Sequence, residues 1–379
     1  MKIVIAPDSF KGSLSANEVC DVVENAILKI IPTAEIIKMP VSDGGEGLVN
    51  TLVRNKGDMI SLVVKDPLFR EITAKYGILN GQTAVIEMAA AAGLPLLAAD
   101  ERNPLFTTTY GVGEMIVDAV IKQGCKKIIL GLGGSATNDG GLGVATALGI
   151  AFLDKNKNSL SPCGENLSQV VFIDSTQVDP RFNDVDITIA CDVENSLCGE
   201  QGAARVYGPQ KGATAEMVSL LDQGLNHFGK LLEDESGKNL LELKGIGAAG
   251  GMALPLVALF NAHLKSGLNI VLDELKFDEV IRGADLIITG EGKTDSQSVM
   301  GKVISGVGNR GKKKQVPVIV ISGALGDGYE GIFDCGVSAA FALYCNDNGL
   351  AWHMENAAQL MDDSVCSLFR FLAVTSKRS

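Results

Sequence analysis

"KIVIAPDSFKGSLSANEVCDVVENAILKIIPTAEIIKM", Lys2 to Met39, decides the fold class. "KIVIA" is apolar apart from its lysine, as in a strand buried on both faces. After the polar loop Pro7 to Ser13, Ser15 and Glu18 stand at capping-box spacing. Val19, Val22, Val23, Ala26, Ile27, Ile30 and Ile31 then repeat at helical period as far as Pro32. "AEIIKM" (34–39) is a second strand, and the glycine-rich loop Ser42 to Gly47 feeds a second helix, Leu48 to about Lys56. Strand, helix, strand, helix is the start of a parallel sheet.

The texture changes from about residue 59. "MISLVVKD", "EITAKYGIL" and "QTAVIEM" are three short strands with no helix between them, an antiparallel or mixed arrangement. A helix at 112–122, the strand "KKIILG" and a helix from about 141 follow. Then come the strand "DITIACD" (186–192), a long helix around 215–235 and an Ala/Gly-rich helix near 250–265. Alternation returns with "ADLIITG", a helix around 298–310, "VPVIVISG", "VSAAFALY" and a closing helix from about 354. The expected fold is α/β with two domains. Residues 1–60 plus 281–379 form a doubly wound, flavodoxin-like parallel-sheet domain, and 61–280 form an inserted mixed-sheet α/β domain.

A formal net charge of -12 and the absence of a Lys/Arg stripe speak against nucleic acid as a partner. The basic run Arg310 to Lys314 reads as a solvated helix end. No stretch of 18 apolar residues and no signal-peptide core occur, so no membrane role is expected. Eight cysteines without a C-x-x-C pair read as reduced, and the expected location is the cytoplasm. His227, His263 and His353 lie far apart in helix-like contexts and read as structural. A zinc site is not expected from them.

Four loops after strand-like segments share glycine, a small hydroxyl and an acid: "APDSFKGSLS" (6–15), "VSDGGEG" (41–47), "GLGGSATNDGGLG" (131–143) and "TGEGKTDS" (289–296). Loops at the carboxyl ends of parallel strands converge on one crevice. Glycines turn backbone N–H groups toward an anion, and nearby carboxylates tolerate a phosphate only across a divalent cation. The pattern therefore points to Mg²⁺-nucleotide handling, although any one of these loops alone reads equally as a turn. Gly292-Lys293-Thr294 resembles the end of a Walker loop, but Ile287 stands where that motif needs its first glycine. Gly131-x-Gly133-x-x-Ala136 outlines a dinucleotide fingerprint, yet Thr137 to Gly141 push the helix beyond the motif. Asp192, ending an apolar strand, reads as either an N-cap or a catalytic carboxylate.

The chain resembles the bacterial glycerate kinases over nearly its whole length. The likeness rests on "APDSFKGSLSA", "PVSDGGEG", "EMAAAAGLPLL", "RNPLFTTTYGVGE", "GLGGSATNDGG", "CDVEN" with "GPQKGA", "GAAGGM" and "TGEGKTDSQS". The family commonly has Arg-Ile where Lys293-Thr294 stand here. The resemblance implies phosphoryl transfer from ATP with Mg²⁺ to D-glycerate, the 2-hydroxyl being favoured, in a monomer or homodimer with an interdomain site. On this reading Asp192 is the proton acceptor, with Lys11 and Asp43 beside it in catalysis. Gly133, Gly134, Ser135, Asn138, Asp139, Gly140, Gly290 and Glu291 hold phosphates. Ser9, Lys11, Arg102, Lys211 and Asp295 contact substrate, and Asp43 and Glu46 bind metal. The rival reading is an NAD(P)-dependent oxidoreductase of a small hydroxy acid. A non-catalytic acid sensor is a third, disfavoured by the full set of loop acids.

Overall fold

A computed structural model describes residues 1–41, 48–53, 57–299, 302–343 and 347–376. The chain divides into two compact units, residues 1–43 with 268–379, and residues 44–267.

The first unit is built on one five-stranded sheet in the order Ala339–Ala342, Val318–Ser322, Leu286–Thr289, Lys2–Ile5, Glu35–Lys38. Every pair is parallel, with Ile3 beside Leu286 and Lys2 beside Glu35. Counted along the unit, this is the flavodoxin-like order 2-1-3-4-5, and the order reverses between Lys2–Ile5 and Leu286–Thr289. Alternation along the strands covers both faces. Ile3, Ile5, Ile288 and Ile321 join the core made by Val19, Val23, Met361 and Phe369 of helices Ala16–Ile30 and Ala357–Ser376. Val4, Ile287, Val318 and Val320 face the other way and are also buried, and helix Val303–Lys314 packs on strands Leu286–Thr289 and Val318–Ser322. The Ser15–Glu18 capping box forms as its spacing predicts.

The second unit carries a six-stranded mixed sheet, in the order His263–Lys265, Asp186–Ala190, Lys127–Gly131, Thr83–Glu87, Glu71–Leu79, Gly57–Lys65. The last two strands pair antiparallel and the first four run parallel. Helix Leu48–Val53 packs on Gly57–Lys65, Glu71–Leu79 and Thr83–Glu87, and so belongs here, not with the first unit. Helix Gly267–Glu274 goes the other way: a side chain at Gly306 would meet Leu268 at 2.1 Å.

Two expected helices differ. The stretch near 250 breaks into Ala248–Gly251 and Ala253–Leu259, because Ala249 (φ 53°) and Gly250 (φ 71°) are left-handed. The closing helix is two, Gly349–Glu355 and Ala357–Ser376. Lys312 to Lys314 form the solvated helix end, but Arg310 instead bridges Asp273 and Asp278 at 2.7 and 3.0 Å. Among the described residues no helix is long and apolar enough to cross a membrane, and the seven cysteines are free.

Gly290 marks the tightest approach at the sheet's carboxyl edge: a Cβ there would sit 1.8 Å from the carbonyl oxygen of Ile321. Gly290→Ala is expected to lower unfolding free energy by about 2 kcal/mol, since neither strand can yield without breaking its ladder. Urea denaturation of the purified variant measures it; an unchanged midpoint would show that the strands can part.

Candidate active site

The candidate site residues that the structure describes fall into one group in each unit. In the first unit, the loops leaving Lys2–Ile5 and Leu286–Thr289 emerge side by side where the strand order reverses, and they are tied by a hydrogen bond from Asp8 N to Gly290 O at 2.9 Å. A cavity of about 540 Å³ opens there. Asp8, Ser9 and Lys11 line it from one loop; Glu291, Lys293 and Asp295 line it from the other. Lys302, at the start of helix Val303–Lys314, joins them.

Glu291 is nearly buried and accepts a hydrogen bond from Ser298 Oγ. Burial holds its carboxyl above the usual range, with Asp8 and Asp295 adding to the rise and Ser298 and Lys302 opposing it. Asp295 is held below its usual range, first by the backbone N–H of Gln297 and then by Lys293, 3.3 Å away. Ser9 donates to Asp8 Oδ1 through its backbone N–H at 2.6 Å and its hydroxyl at 3.3 Å. Lys11 is exposed. The Walker reading fails on structure as well as spacing: Lys293–Thr294 is a short strand beside Ala324–Leu325, and Thr294 Oγ1 is buried against Ser322 Oγ.

In the second unit, Thr83–Glu87, Lys127–Gly131 and Asp186–Ala190 end in register, Glu87 beside Gly131 beside Ala190. The motifs that follow them therefore leave one edge together. Gly133 and Gly134 are exposed, and Leu94 N donates to Gly134 O at 2.8 Å. The helix begins only at Leu142, so the dinucleotide fingerprint lacks the helix it requires. Thr137 Oγ1 and both polar atoms of the Asn138 amide are buried without a partner among the described residues. Orphaned groups of this kind call for a water, an ion or a ligand.

Two predicted ligand-binding side chains are turned inward. Asp139 is fully buried: Oδ2 accepts from Thr109 N, Thr109 Oγ1 and Gly143 N, and Oδ1 from Gly141 N. Its carboxylate is fully engaged in shaping the turn, and burial raises its pKa against those four bonds. Lys211 is 1% exposed, and its ammonium donates to Ser135 Oγ at 2.7 Å and Thr137 O at 2.6 Å. It is a tie for the glycine loop, closed to an external carboxylate. Burial lowers its pKa to about 7 despite the attraction of Asp139. Arg102 lies against the turn after Lys211, since a Cβ on Gly212 would meet Arg102 Cβ at 3.0 Å, and its Nε is buried without a partner among the described residues. Gly140 is left-handed (φ 60°) and donates to Gly250 O at 3.0 Å. Asp192 is exposed, and Oδ1 accepts from Gly267 N, at the start of helix Gly267–Glu274, at 3.0 Å. Asp43 and Glu46 lie outside the described residues.

Sequence reasoning missed Lys302 and His353, which line the first unit's cavity, and Glu87, whose Oε1 accepts from Leu48 N at 3.1 Å. Glu87 lay within the recognised "EMAAAAGLPLL"; the other two carry no local motif.

The depressed Lys211 pKa has a measurable consequence. Between about 7 and its ordinary 10.5 the unfolded chain binds the proton and the folded one does not, so stability rises with pH through that window. Wild type is expected to gain on Lys211→Met by up to about 1.4 kcal/mol per pH unit above 7. Urea unfolding of both at pH 7 and 9 checks it; a constant difference would mean that Lys211 keeps its proton.

Residues 3–373 match the profile of the glycerate kinase family. The chain is 44% identical over 375 residues to the Haemophilus influenzae protein named glycerate kinase, covering 98% of this chain and 99% of that one. It is 43% identical to the Escherichia coli protein named glycerate 2-kinase, over 99% of this chain and 98% of the relative. A crystal structure from Salmonella typhimurium, named for glycerate kinase 2, superposes with a TM-score of 0.88 at 40% identity over 100% of this chain and 99% of that one. The chain belongs to the glycerate kinase family.

Proposed function

We propose that this chain transfers the γ-phosphoryl group of ATP to the 2-hydroxyl of D-glycerate, with Mg²⁺ arriving as part of the nucleotide substrate. Phosphorylation of glycerate follows from the family; the 2-position is supported by the name of the Escherichia coli relative. The observation that carries the reading is the cavity at the switch point, where Lys11, Lys293 and Lys302 meet Asp8, Glu291 and Asp295. Cations to neutralise a transferring phosphoryl group, and carboxylates to accompany its metal, are what such a transfer needs.

Mg²⁺ usually keeps its waters and takes one or two carboxylates besides the substrate's phosphates. No cluster of three or more potential ligands occurs among the described residues, and Asp8 is near enough to Glu291 to raise its pKa. That pair fits a cation delivered by the nucleotide. Asp43 and Glu46, outside the described residues, are metal-binding candidates on sequence alone.

In the second unit, exposed Gly133 and Gly134 and the Ser135 hydroxyl offer donors to an anion, while Lys211 and Asp139 hold that loop in shape. Arg102 is assigned to the glycerate carboxylate and Asp192 to the proton of the attacking hydroxyl. The same reading has the chain working in the cytoplasm on organic acids, as a monomer or homodimer.

Incubation with D-glycerate and Mg²⁺-ATP, with ADP measured by a coupled assay and the product by phosphorus NMR, tests it. Stoichiometric ADP and 2-phosphoglycerate are expected. A 3-phosphoglycerate signal would overturn the regiochemistry, and reduction of a nicotinamide nucleotide in place of ADP formation would overturn the reaction class.

A further inference from the structure

We propose that the first unit's cavity seats the purine base of the nucleotide, with the phosphates directed to its charged wall. This rests on the reading that the chain uses ATP, and adds which unit recognises the base and with what.

The cavity's lining is of two chemical kinds. Phe10, Leu343, Leu350, Met354 and Leu360 supply apolar surface, contributed by the first loop, the end of Ala339–Ala342 and the two closing helices. Lys11, Lys293 and Lys302 stand in the charged part. A three-carbon hydroxy acid has no face to set against five apolar side chains, and pressing it there would strip its hydroxyls and carboxylate of water without replacement. A purine is flat, apolar on its faces and polar only at its rim. Aromatic and thioether side chains suit it, because a phenyl ring stacks and an unbranched methionine adapts its shape.

Size agrees. At about 540 Å³ the space falls within the range of cofactor-sized sites and is far larger than glycerate needs. Position agrees as well, since doubly wound sheets bind nucleotides outside the carboxyl ends of the strands where their order reverses. The charged wall continues toward the N-terminus of the 12-residue helix Val303–Lys314, whose dipole favours an anion beside Lys302. The lysines suit phosphate as point charges, and Asp8 and Glu291 suit the accompanying cation.

Trp352 provides the probe. It is the one tryptophan of the sequence, and it sits in Gly349–Glu355 beside His353 and Met354, both of which line the cavity. ATP and ADP are each titrated against its emission, with D-glycerate alone as the control. Leu350→Asp and Met354→Ala are then assayed with each substrate varied in turn. Leu350 is 76% exposed, so its replacement leaves the core intact. Saturable changes with ATP and ADP, and none with D-glycerate, are expected. Both variants should raise KM for ATP, by about tenfold for Leu350→Asp, and leave KM for D-glycerate unmoved.

The assignment is overturned if KM for D-glycerate rises while that for ATP stays, or if emission answers to D-glycerate alone. An active wild type whose emission ignores nucleotides and whose variants keep their KM for ATP also overturns it, and leaves the kinase reading standing. A wild type that binds ATP at Trp352 but forms no ADP from D-glycerate removes the kinase reading and supports the base pocket.

Discussion

Asp192→Asn is expected to lower turnover of D-glycerate and ATP by roughly two to four powers of ten, with both KM values within a few-fold of wild type. The attacking hydroxyl must lose its proton as it meets the phosphorus, and an amide cannot take it. The substitution is well controlled. Asp192 is exposed, and one contact that ties its carboxylate down is Oδ1 accepting from Gly267 N at 3.0 Å. An amide oxygen accepts that bond equally well, so the substitution keeps this bond at the start of helix Gly267–Glu274 and removes the carboxylate proposed as the base. If Asp192 serves only as that cap, Asp192→Asn turns over near the wild-type rate and Asp192→Ala alone is damaged, in stability first. The pH–rate profile separates the cases again. A lost base removes the acidic limb of the wild-type profile, whereas a lost cap leaves its shape intact.

The doubly wound sheet was legible because its strands are buried on both faces. "KIVIA", "LIIT" and "VIVIS" are near-continuous apolar runs with helical periodicity between, and few other arrangements bury such runs. The charged wall was legible for a related reason. Parallel strands place their following loops at one edge, so the loops 6–15 and 289–296, both rich in glycine and acid, meet at the first unit's cavity. What stayed hidden depends on contacts between distant segments. "GAAGGMALPLVALF" has helical composition, but a Cβ at Gly250 would meet Thr137 O at 2.3 Å, and packing against that turn forces the left-handed residues. Lys211 has the residue type of a substrate clamp, and nothing near it in sequence tells that its ammonium is used by Thr137 O, 74 residues away. His353 and Lys302 reach the cavity from segments without a motif. The apolar wall, made largely by the closing helices, was for the same reason absent from any sequence reading of the site.

Asp139→Ala is expected to lower unfolding free energy by about 4 kcal/mol, and Asp139→Asn by only about 1 to 2 kcal/mol. Two effects oppose each other. Burial makes the charge of Asp139 expensive, as its raised pKa shows, so deleting the carboxylate recovers some desolvation energy. Against this, alanine strands the N–H groups of Thr109, Gly141 and Gly143 and the Thr109 hydroxyl, all in a site closed to solvent. The hydroxyl is further constrained because its oxygen already accepts from Val144 N at 2.9 Å. Orphaned buried donors cost about 1–3 kcal/mol each, so four of them outweigh the recovered desolvation. Asparagine can set its amide oxygen where Oδ2 lies, keeping three of the bonds and turning its NH₂ on Gly141 alone. Hence the graded loss. Lys211 supplies an independent readout, because Asp139 supports its charge against burial. In Asp139→Asn the ammonium should give up its proton at a pH below 7, moving the onset of the pH-dependent stability in the same direction. Urea unfolding of both variants across pH 6 to 9 measures both effects. Equal losses for alanine and asparagine would mean that the charge, and not the four hydrogen bonds, holds this turn.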